Sequence, residues 1–136
     1  MIRRQFARAG GVSLARGARH STRKAEAQTT MIPEIEAAQF DSEVTASERP
    51  VLVDFFTPTC GPCRAMLPII AEIAEERGAT LKVVKFDAAK DPAFASRFRI
   101  SSVPNFVLFQ RGAPIGQRAG TVQKRELLAW LDGALS

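Results

Sequence analysis

Val51-Leu52-Val53-Asp54-Phe55-Phe56 is an almost wholly apolar, β-branched and aromatic run. A few residues later it gives way to an amphipathic stripe of Met66, Ile69, Ile70, Ile73 and Ala74. The run lacks polar alternation, which predicts a strand buried on both faces. The stripe recurs at helical spacing and predicts a helix with one apolar face. Pro68 lies inside that helix and should kink it, and Gly78 marks its end. A strand covered on both faces needs helices on both sides, and the rest of the chain supplies them. Ala37, Phe40 and Val44 fit a short helix closed by Ser47-Glu48-Arg49-Pro50. Leu81 to Phe86 is a second buried strand. Asp91-Pro92 predicts an N-cap and a proline at the first helical position, opening a short helix through Phe94 and Phe98. Phe106 to Phe109 is a third strong strand, turned by Arg111-Gly112 so that Ile115 to Ala119 pairs back as a hairpin. Leu127, Leu128, Leu131 and Leu135 line one face of a closing helix. The order β-α-β-α-β-β-α, with a helix and a short strand in front, defines an α/β fold: a central sheet with helices on both faces.

Charge is distributed unevenly. Residues 1–25 carry Arg3, Arg4, Arg8, Arg16, Arg19, Arg23 and Lys24, and the first acid is Glu26. Residues 26–136 hold 12 basic and 14 acidic side chains, a net of −2, although the whole chain is +5. The main body has no excess of positive charge with which to neutralise a phosphate backbone, which argues against nucleic-acid binding. No apolar run approaches the ~18 residues that a membrane-spanning helix needs. The N-terminus combines Arg, Ala and Gly with a few hydroxyls, and Ile2, Phe6 and Ala9 form a weak apolar stripe. That pattern reads as a targeting presequence over 1–28, expected to be disordered and cleaved between about Arg19 and Gln28, with a basic tail that binds acidic surfaces non-specifically as the alternative. Mitochondrial import to the matrix is the favoured reading, with the chloroplast as alternative. Ala25 to Pro33 is expected to be a linker, and residues 29–136 a single domain.

Both cysteines stand two residues apart, in Thr57-Pro58-Thr59-Cys60-Gly61-Pro62-Cys63. Such a pair serves in zinc sites, structural disulfides or redox centres. Zinc needs about four ligands. There is no second cysteine pair, and the only histidine, His20, lies in the presequence. A structural disulfide here would close a tiny loop and constrain little of the unfolded chain. Redox chemistry is therefore favoured, with no metal. Cys60 falls at the start of the predicted helix, where free amide N–H groups and the helix dipole stabilise a thiolate. Cys63, one turn on, should be the more buried and should act second, resolving a mixed disulfide. Gly61 and Pro62 hold the turn that keeps both sulfurs within reach.

Val53-Asp54-Phe55-Phe56-Thr57-Pro58-Thr59-Cys60-Gly61-Pro62-Cys63 resembles the active-site segment of the thioredoxin family, and the likeness covers about residues 34–136. The Cys-x-x-Cys spacing is itself a signature of that family, so the redox assignment and the resemblance are not independent. The resemblance implies the thioredoxin fold, with a mixed sheet. It places Asp54 at a buried aspartate that exchanges a proton with Cys63, and Lys85 at the lysine that moderates it. A bare buried ion pair is the alternative for these two. It places Val103-Pro104 at a cis-proline loop whose backbone pairs with substrate, beside Gly120, with Gly112 in the hairpin and Pro68 at the helix kink. It implies a redox disulfide between Cys60 and Cys63, and no bound cofactor. Electrons would come from NADPH through a thioredoxin reductase, clients would include peroxiredoxins, and the protein would be a monomer.

Two positions depart from the family pattern. Thr59 replaces the usual tryptophan before the first cysteine, and removes apolar surface that could contact substrates. Asn105 follows the proline where threonine is usual, in the same groove. Trp130, the only tryptophan, is expected to pack and nothing more. The resulting expectation is a protein-disulfide reductase, a thiol–disulfide oxidoreductase enzyme. Rigid Gly-Pro between the cysteines resembles the reducing members. The alternatives are a binding or assembly subunit on the same fold, motivated by Thr59, and an oxidase or isomerase, which equilibration with glutathione would separate.

Overall fold

The apolar runs form the middle of one five-stranded sheet. The computed structural model describes residues 32–136; the presequence, His20 and the first part of the expected linker lie outside the described residues. The strands are β1 Glu34–Ile35, β2 Val51–Phe56, β3 Lys82–Asp87, β4 Asn105–Gln110 and β5 Ala113–Ala119, and the helices are α1 Gly61–Glu76, α2 Pro92–Ser96 and α3 Lys124–Leu135. The sheet order is β1-β3-β2-β4-β5. β1 and β2 both run parallel to β3, whereas β4 is antiparallel to β2 and to β5. The sheet is therefore mixed. β2 and β4 are buried residue after residue, which is why their sequences show no alternation.

Alternate side chains divide the core into two layers. Val51, Val53, Phe55, Val84, Phe86, Val107 and Phe109 face one layer, closed by Phe40, Val44 and Phe94. Six phenylalanines interlock there, with Phe98 5.4 Å from Phe40, Phe94 and Phe109 by ring centroids, mostly in the tilted and edge-on arrangements that aromatic quadrupoles favour. Leu52, Val83, Phe106 and Leu108 face the other layer, closed by Met66, Ile70 and Ile73 of α1 and Leu127 and Leu131 of α3. Trp130 is half-buried against this second layer and lies over Gly116. Arg77 and Asp132 pair at 2.6 Å, and Lys124 bonds Glu72 at 3.0 Å as well as Glu76, joining α3 to the α1 side.

Several local expectations need correction. The segment around Phe40 is not a regular α-helix. Ala37–Gln39 is a 3-10 turn and Asp41–Thr45 a single π-helical turn. Glu36 and Gln39 cap each other reciprocally at its start, and Lys82 takes the Glu43 carbonyl at 2.8 Å. Phe40 and Val44 still reach the core. α2 ends at Ser96, so Phe98 contributes its ring from irregular chain beyond the helix. Its N-cap is Asp91, whose side chain accepts the Phe94 N–H at 3.0 Å. α1 continues through Pro68, which is exposed, and stops at Arg77, whose N–H reaches the Ile73 carbonyl at 2.8 Å. Gly78 is not a left-handed cap. Ile32 and Pro33, expected in the linker, belong to the fold: Ile32 packs on the second layer, and Pro33 accepts the Lys85 N–H at 2.9 Å. The hairpin turn has Arg111 at φ 53° and Gly112 at φ 80°, the two positive values a tight hairpin needs. Among the described residues no helix is long and apolar enough to cross a membrane.

Candidate active site

β2 leaves the sheet at Phe56, and the short segment Thr57–Cys60 carries the chain into α1. The Cys60 N–H bonds back to the Thr57 carbonyl at 3.2 Å. Cys60 is the N-cap of α1 in an extended conformation, and its sulfur accepts the Cys63 N–H at 3.1 Å. Gly61 and Pro62 form the first helical positions, where a missing proline N–H costs nothing. The two cysteines are joined as a disulfide with Cα atoms 5.3 Å apart. Cys60 is partly exposed, whereas Cys63 is 3% exposed. Amide donors and the helix dipole thus converge on the sulfur that solvent can reach.

The loop before β4 comes to meet this sulfur. The Val103-Pro104 bond is cis, and Cys60 Sγ lies 3.8 Å from the Val103 carbonyl oxygen. Gly120, at φ 87°, turns out of β5 and donates its N–H to the Pro104 carbonyl at 2.8 Å. The left-handed conformation makes glycine the natural residue there. Thr59 is exposed beside the disulfide. Sequence reasoning had not singled out Arg64. Its Nη1 donates to the Pro58 carbonyl at 2.9 Å, holding the segment that presents Cys60. Its position one helical turn after Cys60 was the available clue.

Asp54 sits below, on the face of β2 that α1 covers. It is fully buried, and neither carboxylate oxygen has a hydrogen-bond partner. Burial pushes its carboxyl up to about 7, and the positive charge of Lys85 offsets part of that rise. Lys85 is directly opposite on β3, but no hydrogen bond joins the two. The ammonium lies 5.2 Å from the centre of the Phe56 ring. Asp54 and Lys85 are therefore not a closed ion pair. A cavity of about 130 Å³ opens beside Lys85, lined also by Phe56, Thr57, Pro58, Cys63, Arg64 and Leu67. Among the described residues, no three His, Cys, Asp or Glu side chains gather as a metal site.

A Cys60–Cys63 disulfide that caps a helix N-terminus, with its outer sulfur partly exposed and facing the Val103 backbone, is the arrangement of a thiol–disulfide oxidoreductase. The thioredoxin family model matches residues 31–133. The chain is 43% identical over 98 residues to a thioredoxin of Mycolicibacterium smegmatis, covering 71% of this chain and 88% of that protein. It is 38% identical over 98 residues to the chloroplastic thioredoxin Y of Oryza sativa subsp. japonica, covering 72% of this chain and 58% of that protein. It is 35% identical over 130 residues to the chloroplastic thioredoxin X of Arabidopsis thaliana, covering 92% of this chain and 71% of that protein. The chain belongs to the thioredoxin family, and it is a protein-disulfide reductase. The family has no bound cofactor; its members act on disulfide substrates and are themselves reduced by a thioredoxin reductase.

Proposed function

We propose that this reductase is an organellar thioredoxin, recharged with NADPH electrons through its reductase and acting as a monomer on protein clients that include peroxiredoxins. The observation that carries the reading is the asymmetry of the pair, with Cys60 capping the helix in reach of solvent and Cys63 buried behind it. Cys60 is the nucleophile and Cys63 the resolving thiol. Asp54 takes the proton from Cys63, with Lys85 moderating its charge. The cavity between Cys63 and Lys85 supports a water-carried transfer, because it exceeds the volume of a single water. Substrate chain pairs with the Val103 edge beside Pro104, Gly120 and Thr59, as a strand adds to a sheet. The test is reduction of insulin by the chain from about Glu26 onward, with NADPH and a thioredoxin reductase. NADPH consumption that stops in Cys60→Ser is expected. Activity with chemically reduced protein but none with NADPH and reductase would refute the electron source while leaving the reductase intact.

The domain boundary proposed at 28/29 separates this module from a cleaved leader. The Arg-rich, acid-free composition of residues 1–25 supports the mitochondrial matrix. A specific observation favours the chloroplast: two of the plant relatives carry chloroplastic names, and the match to one covers 92% of this chain, so it extends into the basic segment. Residues 1–28 fused to a fluorescent protein are expected to direct it into mitochondria, with loss of the leader. Uptake by chloroplasts alone would transfer the assignment to that organelle, and uptake by neither would remove the leader from the proposal.

A further inference from the structure

The loop that faces Cys60 has little of its own to hold it. Between α2 and β4 the chain runs from Arg97 to Pro104 without helix or strand after a few turns, and Arg99 adopts φ 59°. Yet Val103 is set 3.8 Å from the nucleophilic sulfur. Asn105, the first residue of β4, explains part of that placement. It is 3% exposed, and besides Asp54 it is the buried polar side chain of the described residues. Its Nδ2 donates to the Ser102 carbonyl at 3.4 Å, and its Oδ1 accepts from Gln117 Nε2 at 3.1 Å. A carbonyl can only accept, which fixes the orientation of the amide. Gln117 lies on β5, opposite Val107 and diagonal to Asn105 on the same face. A hydrogen-bond relay thus runs from Gln117 through Asn105 to Ser102, the residue before Val103. Threonine at position 105 would have one hydroxyl, with a single proton to give, and a shorter reach.

We infer that Asn105, supported by Gln117, is a positioning residue that sets the substrate-pairing edge at Val103 and so favours extended protein substrates over small disulfides. The inference rests on the proposed pairing of substrate with that edge. A small soluble disulfide needs only the sulfur. An extended client also needs the Val103 backbone in register. Loss of the relay should therefore separate the two substrate classes.

The experiment uses pre-reduced full-length protein in single turnover, against insulin and against dithiobis(nitrobenzoate), so that no reductase docking enters. Asn105→Ala is expected to lower the second-order rate constant for insulin about tenfold, the size of one lost hydrogen bond, and that for the small disulfide less than twofold. Gln117→Ala, a change at an exposed side chain, is expected to cost about threefold on insulin alone. The double variant should be no worse than Asn105→Ala. Equal losses on both substrates, or an unchanged insulin rate, overturn the inference. Should Asn105→Ala fail to fold, Gln117→Ala decides by itself, and an insulin rate equal to wild type overturns it. Wild-type rates no higher than those of Cys60→Ser would instead show that the reductase reading has failed.

Discussion

Cys60→Ser is expected to reduce turnover of a protein disulfide to background, a loss of roughly 10³-fold or more, as when a catalytic nucleophile is removed. Cys63→Ser is expected to abolish turnover differently, by holding clients on the protein. The difference follows from the order of bond changes in the proposed mechanism. The Cys60 thiolate attacks one sulfur of the client disulfide, forms a mixed disulfide and expels a client thiolate. Cys63 then loses its proton and attacks Cys60 Sγ. That step forms the Cys60–Cys63 disulfide and expels the second client thiolate, so two electrons pass to the client and two protons complete its thiols. Serine at 60 stops the first attack. Serine at 63 permits it and blocks the second, because a hydroxyl is too poor a nucleophile to displace the client. Non-reducing gels should show adducts with Cys63→Ser that thiol treatment dissolves. Adducts with Cys60→Ser and none with Cys63→Ser would reverse the assignment of the two sulfurs, and equal adducts with both would remove the distinction between them.

Burial of the two sulfurs supports that order, and their relation was legible in the sequence. A strand buried on both faces runs into an amphipathic helix, so a residue at the junction becomes an N-cap. Position three later then lies one turn inside. The central strands were legible for the same reason, since β2 is apolar but for Asp54 and β4 but for Asn105 and Gln110 at its ends. The π-helical turn at Asp41–Thr45 was not legible, because Phe40 and Val44 fit an ordinary α-helical period equally well. The spacing of Phe98 from Phe94 fits a helix. Its ring does join that layer, but from irregular chain. The bonds of Arg64 to Pro58 and of Gln117 to Asn105 depend on a loop conformation and a strand register. Side-chain type alone carries neither. For Asp54, residue identity suggested a buried charge, but only the structure separates it from Lys85 by more than a hydrogen bond.

That unpartnered carboxyl leads to the second large effect. In the disulfide-bonded protein the Asp54 carboxyl is raised from 3.8 to about 7. The folded state therefore holds its proton more tightly than the unfolded chain does. Its contribution is unpenalised below about pH 4, and stability is lost as pH rises from there to about 7. Above that the penalty is constant, at about 4 kcal/mol from 1.36 kcal/mol per unit. Asp54→Ala removes the penalty and introduces a cavity cost that does not vary with pH. The stability difference between the variant and wild type is therefore expected to move by about 4 kcal/mol in favour of the variant between pH 4 and pH 8, whatever its offset. Guanidinium unfolding of both oxidised proteins at the two values measures it. The same substitution should slow resolution by Cys63 roughly tenfold to a hundredfold at pH 7, the usual scale for a positioned base. That deficit should shrink at higher pH as solvent deprotonates the thiol unaided. A parallel pair of stability curves would show that Asp54 titrates alike in the folded and unfolded chains, and an ordinary carboxylate is too weak a base to serve a thiol. A variant that is more stable and slower, with both effects following pH as described, ties the cost of burying this carboxyl to the step that uses it.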